Sequence, residues 1–358
     1  MKTALAAIFQ EPSKPLELRR VEVPTPTAGE VLVRVLGCTL CGSDLHSVSG
    51  RRLAPAPSVL GHEIVGEIVE LGPQVATCDA SAMPLVVGDR ITWAIVANCG
   101  QCFYCQRDLP QKCLRGVKYG HEQAIERRVL TGGLAEYCLL ASGTSIVRLP
   151  DELPLEVACP ANCATATVAA ALAAAGPLAD HNVGILGAGM LGLTACAMTR
   201  SSGAASVIAV EPNAARREMA LRFGATQAID PAELSATAAD LTGGHGLDVV
   251  FEFSGAASAV ASALSVPRIG GSLVLVGSVF PGPGLEILPE QIVRRNLTLR
   301  GVHNYAPRDL TNAVSFLAAH QRQYPLASLV GAWYPLKEVN RALEQALDPA
   351  RLRVGVRF

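Results

Sequence analysis

The stretch Asn182-Val-Gly-Ile-Leu-Gly-Ala-Gly-Met-Leu-Gly-Leu193 decides the fold. Val183 to Leu186 reads as a short apolar strand, Gly187-Ala-Gly-Met-Leu-Gly192 as a G-x-G-x-x-G turn, and Leu193 to Arg200 as a helix. A second strand, Val207 to Val210, ends at Glu211, 19 positions after Gly192. Glycines in this pattern make a tight turn and let backbone N–H groups approach a pyrophosphate at the helix N-terminus. An acid about 20 residues further on is placed to bind the adenosine ribose hydroxyls. A glycine triplet alone also serves as a packing turn. Here the strand before it, the helix after it and the distant acid make dinucleotide binding the reading. The predicted cofactor contacts are Gly187, Gly189, Met190, Leu191, Gly192 and Glu211. A carboxylate at Glu211 would repel a 2′-phosphate, which favours NAD(H) over NADP(H). Arg216 and Arg217 in the next helix temper that preference, and Arg216 joins the cofactor candidates; the plain reading of both is a solvated helix face.

Working outward, Asp248 to Phe253, Gly271 to Gly277 and Leu297 to Val302 add further strand candidates, at least five in all. Strands alternating with helical segments predict an α/β chain with a doubly wound parallel sheet. A length of 358 residues predicts two or three domains, two being the first choice. Half of the residues are hydrophobic and 17% are charged, which excludes a disordered chain. Thirty Lys and Arg against 31 Asp and Glu leave no general polyanion surface, and 4% aromatics leave no base-stacking platform, so no nucleic-acid partner is expected. Residues 157–179 carry no formal charge and are long enough to span a bilayer. They contain Pro160, Asn162, Gly176 and Pro177 among alanines, so a buried, closely packed helix is expected rather than a membrane span. Met1 to Gln10 reads as a first strand, too short for a signal-peptide core.

The absence of an export signal points to a reducing cytoplasm, in which eleven cysteines do not form structural disulfides. Cys99, Cys102, Cys105 and Cys113 form a C-x2-C-x2-C-x7-C cluster suited to one closed, tetrahedral structural zinc. An iron–sulfur cluster uses similar ligands and is the competing reading. Cys38, Cys78, Cys138, Cys159 and Cys196 read as small core residues. Earlier, Val31 to Leu36 reads as a strand and leads into Gly37-Cys-Thr-Leu-Cys41-Gly-Ser-Asp-Leu-His46, followed by Gly61-His-Glu63. Cys41 and His62 would supply two ligands of an open catalytic site. Taken singly, such a histidine is more often a hydrogen-bonded core or surface residue.

Together these motifs resemble the zinc-dependent medium-chain alcohol dehydrogenases, and the resemblance covers nearly the whole chain. It implies a GroES-like, β-rich catalytic domain of residues 1–164 and 303–358, interrupted by a Rossmann domain at 165–302. Counted from Leu149-Pro150-Asp151, Cys163 falls where alcohol-type members place a third zinc ligand. Asn162 falls where polyol- and threonine-type members place a glutamate. The implied catalytic set is Cys41, His62 and Cys163, with Cys159 as the alternative third ligand. The resemblance further implies two zinc ions per chain and reversible oxidation of an alcohol to an aldehyde or ketone by hydride transfer to NAD+. Zinc acts as Lewis acid, and Ser43 and His46 form a proton relay. Asp44 orients His62, and Glu63 lies behind the ligands. By the same resemblance Thr167 would pack near the nicotinamide and Arg353 would meet the pyrophosphate, with a plain surface arginine as the alternative reading of Arg353. Many members carry a basic residue after the first zinc cysteine; this chain has Gly42, a departure that bears on cofactor affinity. A homodimer or homotetramer is implied, with Val274–Val279 and Leu297–Val302 as contact strands.

The substrate is less legible. Leu109-Pro-Gln-Lys-Cys113, Lys118-Tyr-Gly-His-Glu122 and Cys159-Pro-Ala-Asn-Cys-Ala-Thr165 resemble a subgroup of phosphonate-catabolism-associated alcohol dehydrogenases. Arg51 and Arg52 could pair with an anionic substrate, against the plainer reading of a solvated loop. A polyol or secondary alcohol is the alternative within the family, and a hydroxyalkylphosphonate is a further one. A non-catalytic NAD-binding zinc protein is the alternative from another class, and it has no need of an open metal set with a serine–histidine relay.

Overall fold

The computed structural model describes residues 2–358. The chain divides into two units, one of Met1–Ala166, Ala306–Gln321 and Leu326–Phe358, the other of Thr167–Tyr305 with Arg322–Pro325.

In the second unit, six parallel strands run in the order Gln227–Ile229, Ser206–Val210, Asn182–Leu186, Leu247–Glu252, Pro267–Leu275, Thr298–Gly301. Numbered along the chain this is 3-2-1-4-5-6, the order of dinucleotide-binding Rossmann sheets. Ser206–Val210 is buried at every position, as befits a strand covered on both faces. Gln227–Ile229 has no apolar run and no fully buried residue, which is why pattern reading passes over it. The helix after the glycine turn begins at Met190, not Leu193, so Gly192 lies inside its first turn. Leu186, Ile208, Val210, Val250 and Leu273 form the core of this unit.

The first unit is mostly antiparallel. Its main sheet orders Ile146–Arg148, Arg90–Trp93, Glu63–Leu71, Val31–Thr39, Arg353–Arg357 and Val330–Pro335, with Tyr137–Leu140 also paired to Val31–Thr39. The central strand Val31–Thr39 is rich in β-branched residues and nearly all buried. Register decides what surrounds its end. Thr39 lies opposite Glu63 on one side and opposite Gly355 on the other. The segment leading to Cys41 is thereby flanked by His62–Glu63 and by Arg353–Val354, although these lie far apart in sequence.

The uncharged stretch departs from the expected single helix. It forms a short helix at Leu155–Ala158, a 3-10 turn at Cys159–Asn162 and a helix at Ala164–Ala175, bent by 54°. Pro160 removes a backbone donor, and Cys163 leaves helical geometry at φ −136° and ψ −76°. No single helix among the described residues is long and apolar enough to cross a membrane. Cys38, Cys138, Cys159 and Cys196 are buried, as expected. Cys78 is exposed instead, because it sits in the loop after Glu63–Leu71, bridged only to Pro84.

Candidate functional site

The break in the uncharged stretch places Cys163 beside Cys41 and His62, with one donor atom from each lying within 4.8 Å of the others. Cys41 precedes the helix Gly42–Val48, and His62 precedes the strand Glu63–Leu71. One buried carboxylate ties the two turns together. Asp44 accepts hydrogen bonds from the backbone N–H of Cys41 at 2.9 Å and of Gly61 at 3.0 Å. Its Oδ1 also stands 3.4 Å from His62 Nδ1, an ion-pair distance rather than a formed hydrogen bond. The Nε2 side of the ring faces Ser43 Oγ at 3.4 Å. Cys159 is not part of this donor group; its sulfur is buried against Gly37. Asn162 is no ligand either. Its side chain accepts from Ile64 N at 3.1 Å and donates to the Trp93 carbonyl at 3.0 Å, clamping the 3-10 turn to two strands.

Arg353 is buried, which overturns its alternative reading as a surface arginine. It is 8% exposed, donates to Glu63 through Nε at 3.0 Å and Nη2 at 3.1 Å, and brings Nη2 within 3.6 Å of Cys41 Sγ. Glu63 also accepts from Thr39 Oγ1 at 2.6 Å. The register of the strand at Arg353–Arg357 against Val31–Thr39 turns this arginine inward, where the buried Glu63 claims its guanidinium.

The charges of the three donors are linked. The Cys163 thiol donates to Cys41, which, against the effect of burial and helped by Arg353 and His62, holds Cys41 well below an ordinary thiol pKa. The same bond, with burial, pushes Cys163 well above it. Burial works against the His62 imidazolium, but Asp44 and Cys41 raise its pKa to about 10. Two sulfurs and an imidazole at this spacing fit zinc, and three donors leave a fourth position open. Metal entry displaces the protons these groups hold. His46 lies half-buried on the same helix as Ser43, its pKa lowered by burial and by Arg51, with Cys41 opposing and Arg52 adding to the effect.

The second set is closed. The sulfurs of Cys102 and Cys105 are 3.5 Å apart, those of Cys99 and Cys113 3.5 Å, and those of Cys102 and Cys113 3.9 Å. Disulfide sulfurs would be bonded at about 2.05 Å. A tetrahedron of thiolates at about 2.3 Å from zinc has edges of about 3.8 Å, so this cage fits one ion. It leaves no room for several irons and sulfides. A backbone hydrogen bond from Gln101 pulls Cys99 down to about 6, with Arg115 contributing. Burial and the neighbouring thiols Cys102 and Cys113 push Cys105 up to about 11.

In the second unit, Gly187 has φ +94°, and a Cβ on Gly192 would overlap the Gly187 carbonyl, so both positions require glycine. A Cβ at Gly189 would meet nothing within 4 Å, which leaves open space at the helix N-terminus. Glu211 is 6% exposed and accepts from Ala188 N at 2.8 Å and Asn213 N at 3.1 Å. A cavity of about 390 Å³ is lined by Gly187, Gly189, Glu211, Arg216, Phe253 and Ser254. Arg216 is half-buried at its wall, Met190 is buried, and Leu191 and Thr167 are half-buried. A larger cavity of about 540 Å³ in the first unit takes in only Cys99 of the predicted site residues.

Sequence reading passed over His121, whose ring centroid lies 4.9 Å from that of His62. Arg52 Nη1 is 3.0 Å from His121 Nδ1. The one signal in sequence was the segment Lys118–Glu122, noted there without a role.

Residues 27–151 match the family described as alcohol dehydrogenase GroES-like domain, and residues 191–319 match zinc-binding dehydrogenase. A 5-exo-hydroxycamphor dehydrogenase from Pseudomonas putida is 32% identical over 352 residues, 96% of each chain. The structure of an alcohol dehydrogenase from Thermotoga maritima superposes with a TM-score of 0.94 at 28% identity, covering 100% of both chains. A zinc-binding dehydrogenase from Sinorhizobium meliloti 1021, solved bound to NADP, superposes with a TM-score of 0.86 at 26% identity, again over 100% of both chains.

Proposed function

The chain belongs to the zinc-dependent medium-chain alcohol dehydrogenase family, and on that premise we propose that it interconverts an alcohol and its aldehyde or ketone with NAD+ as hydride acceptor. The observation that carries this reading is the open set of Cys41, His62 and Cys163 with Ser43 at its edge. Zinc held by these three residues would supply Lewis acidity toward a substrate oxygen, and the nicotinamide would accept the hydride. The remaining work falls to the chain itself. Asp44 holds the Nδ1 side of His62, which turns Nε2 toward the donor set. Ser43 and His46 are three residues apart on one helix and so share a face. Ser43 Oγ takes the hydroxyl proton, and His46 passes it to solvent. The lowered pKa of His46 keeps its imidazole neutral and able to accept that proton. Glu63 and Arg353 hold Cys41 from behind.

Glu211 at the wall of the nucleotide cavity supports NAD, while Arg216 on the same wall leaves room for a 2′-phosphate. The closed four-thiol cage supports a second, structural zinc. Six cysteine donors that must stay reduced or metal-bound suit a cytoplasmic enzyme, and a homodimer or homotetramer is the assembly we assign. NAD+ reduction across a panel of alcohols, with zinc counted per chain, tests the reading. Turnover with about two zinc ions per chain is the expected result. Two bound zinc ions without turnover on any alcohol would favour a non-catalytic binding protein.

A further inference from the structure

Beside the open donor set lies a group of cations that the steps above do not use. Lys118 and His121 are the ends of a tight turn, closed by a hydrogen bond from His121 N to the Lys118 carbonyl at 3.0 Å. Gly120 inside that turn lies so close to Gly61 that a Cβ there would stand 2.6 Å from the Gly61 carbonyl oxygen. The turn is therefore pinned to the segment that carries His62. Arg52 arrives at the same place from the other side. Its backbone N–H donates to the His46 carbonyl at 3.0 Å, and its guanidinium rests on the His121 ring.

Among the described residues no carboxylate pairs with the Lys118 or Arg52 side chain. Glu122, the acid of the same turn, uses Oε1 to accept from the Lys118 backbone N–H at 2.8 Å. Burial and the like charge of Arg52 lower the Lys118 pKa, with Lys112 adding to the effect and Cys163 and Cys41 opposing it. Lys118 thus lies within electrostatic reach of both the cationic group and the donor set. Two half-buried cations within electrostatic reach of each other, with no carboxylate between them, are held at a cost that an oxyanion would reduce through charge-assisted hydrogen bonds. Arg51, in contrast, is exposed, so the arginine pair noted in the sequence divides into one inward and one outward residue.

We propose that Arg52 and Lys118 form a recognition site for an oxyanion on the substrate, so that the alcohol oxidised at Cys41, His62 and Cys163 carries a carboxylate, phosphate or phosphonate. This inference rests on the dehydrogenase reading, and its test separates the two. Metal-replete protein is assayed with 4-hydroxybutyrate, 3-hydroxypropylphosphonate and butan-1-ol, and kcat/KM is compared for the acids against the neutral alcohol. At least one acid should be preferred by ~10-fold or more, the range of a charge-assisted hydrogen bond. Lys118→Met and Arg52→Met should each reduce that preference ~10-fold, while Lys118→Arg should retain it. The ranking of the two acids tells carboxylate from phosphonate recognition. Methylphosphonate binding measured by calorimetry, which needs no turnover, should weaken in both methionine variants. A wild-type preference for butan-1-ol, or acid preference and methylphosphonate binding unchanged in both variants, overturns the anion site. Methylphosphonate binding that depends on Lys118 and Arg52 without turnover of any alcohol upholds the anion site and refutes the dehydrogenase reading.

Discussion

The two donor sets of the first unit are built on opposite plans. Cys99, Cys102, Cys105 and Cys113 fall within fifteen residues, and one loop brings their sulfurs to 3.5–3.9 Å. Cys41, His62 and Cys163 span more than a hundred residues. They meet only because strand register, a buried carboxylate and a broken helix bring them together. The closed set would offer an ion four thiols and leave nothing for a substrate. The open set offers three donors, with a serine at the edge and cations alongside. A structural ion can be encoded locally, whereas a reactive one needs surroundings, and those come from distant parts of the chain.

The largest effect separating the two sets should follow loss of a donor. Cys163→Ser or His62→Ala should lower kcat by ~10³ or more, as expected for removing several kcal/mol of Lewis-acid stabilisation. The chain should stay folded by circular dichroism and lose one zinc. Cys105→Ser should instead lower the thermal midpoint and expose residues 99–113 to proteolysis. If both classes of variant lose activity and stability to the same degree, the division into a reactive and a structural site fails. Brief dialysis against a chelator should sharpen the same contrast, giving a folded, inactive species that keeps about one zinc, because the open set is the more accessible.

Next in size is the Arg353–Glu63 pair behind Cys41. Arg353→Met leaves Glu63 buried and uncompensated and should cost ~3–5 kcal/mol in denaturant unfolding. The double variant Arg353→Met, Glu63→Gln should recover part of that loss. An unchanged stability in the single variant would contradict the buried pairing. Asp44→Asn keeps the shape of the link between the Cys41 and Gly61 turns but removes its charge. It should weaken zinc binding at the open set ~10–100-fold and leave the four-thiol set untouched, as read by competition with a chromogenic chelator. The smallest effect lies in the second unit. Glu211→Ala should shift the NAD+ over NADP+ preference in kcat/KM toward NADP+ by ~10-fold, the scale of one charged contact.

Much of the molecule was open to reading from its residues. The G-x-G-x-x-G turn announced the parallel sheet because its glycines answer to local geometry: Gly187 needs a positive φ, and Gly192 needs to sit against the Gly187 carbonyl. The four-cysteine cage was legible for the same reason. Where the expectation gave way, long-range packing decided. The short strand Gln227–Ile229 has no pattern of its own and exists because Ser206–Val210 offers it an edge. Nothing near Arg353 in the sequence announces Glu63, 290 positions away, and strand pairing brings the two together. Cys78 looked apolar in its neighbourhood and lies exposed in a loop.

By itself, the sequence determined the elements whose chemistry is complete within a few neighbouring residues: the G-x-G-x-x-G turn and the thiol cage. Tertiary structure alone decided that Arg353 pairs with Glu63, and that Arg52, Lys118 and His121 gather beside the donor set. The physical reason is the range of the forces involved. Turn geometry and metal-ligand spacing act along the chain and leave a pattern in it. Burial, charge pairing and sheet register act across space, between segments that carry no mark of each other until they are folded together.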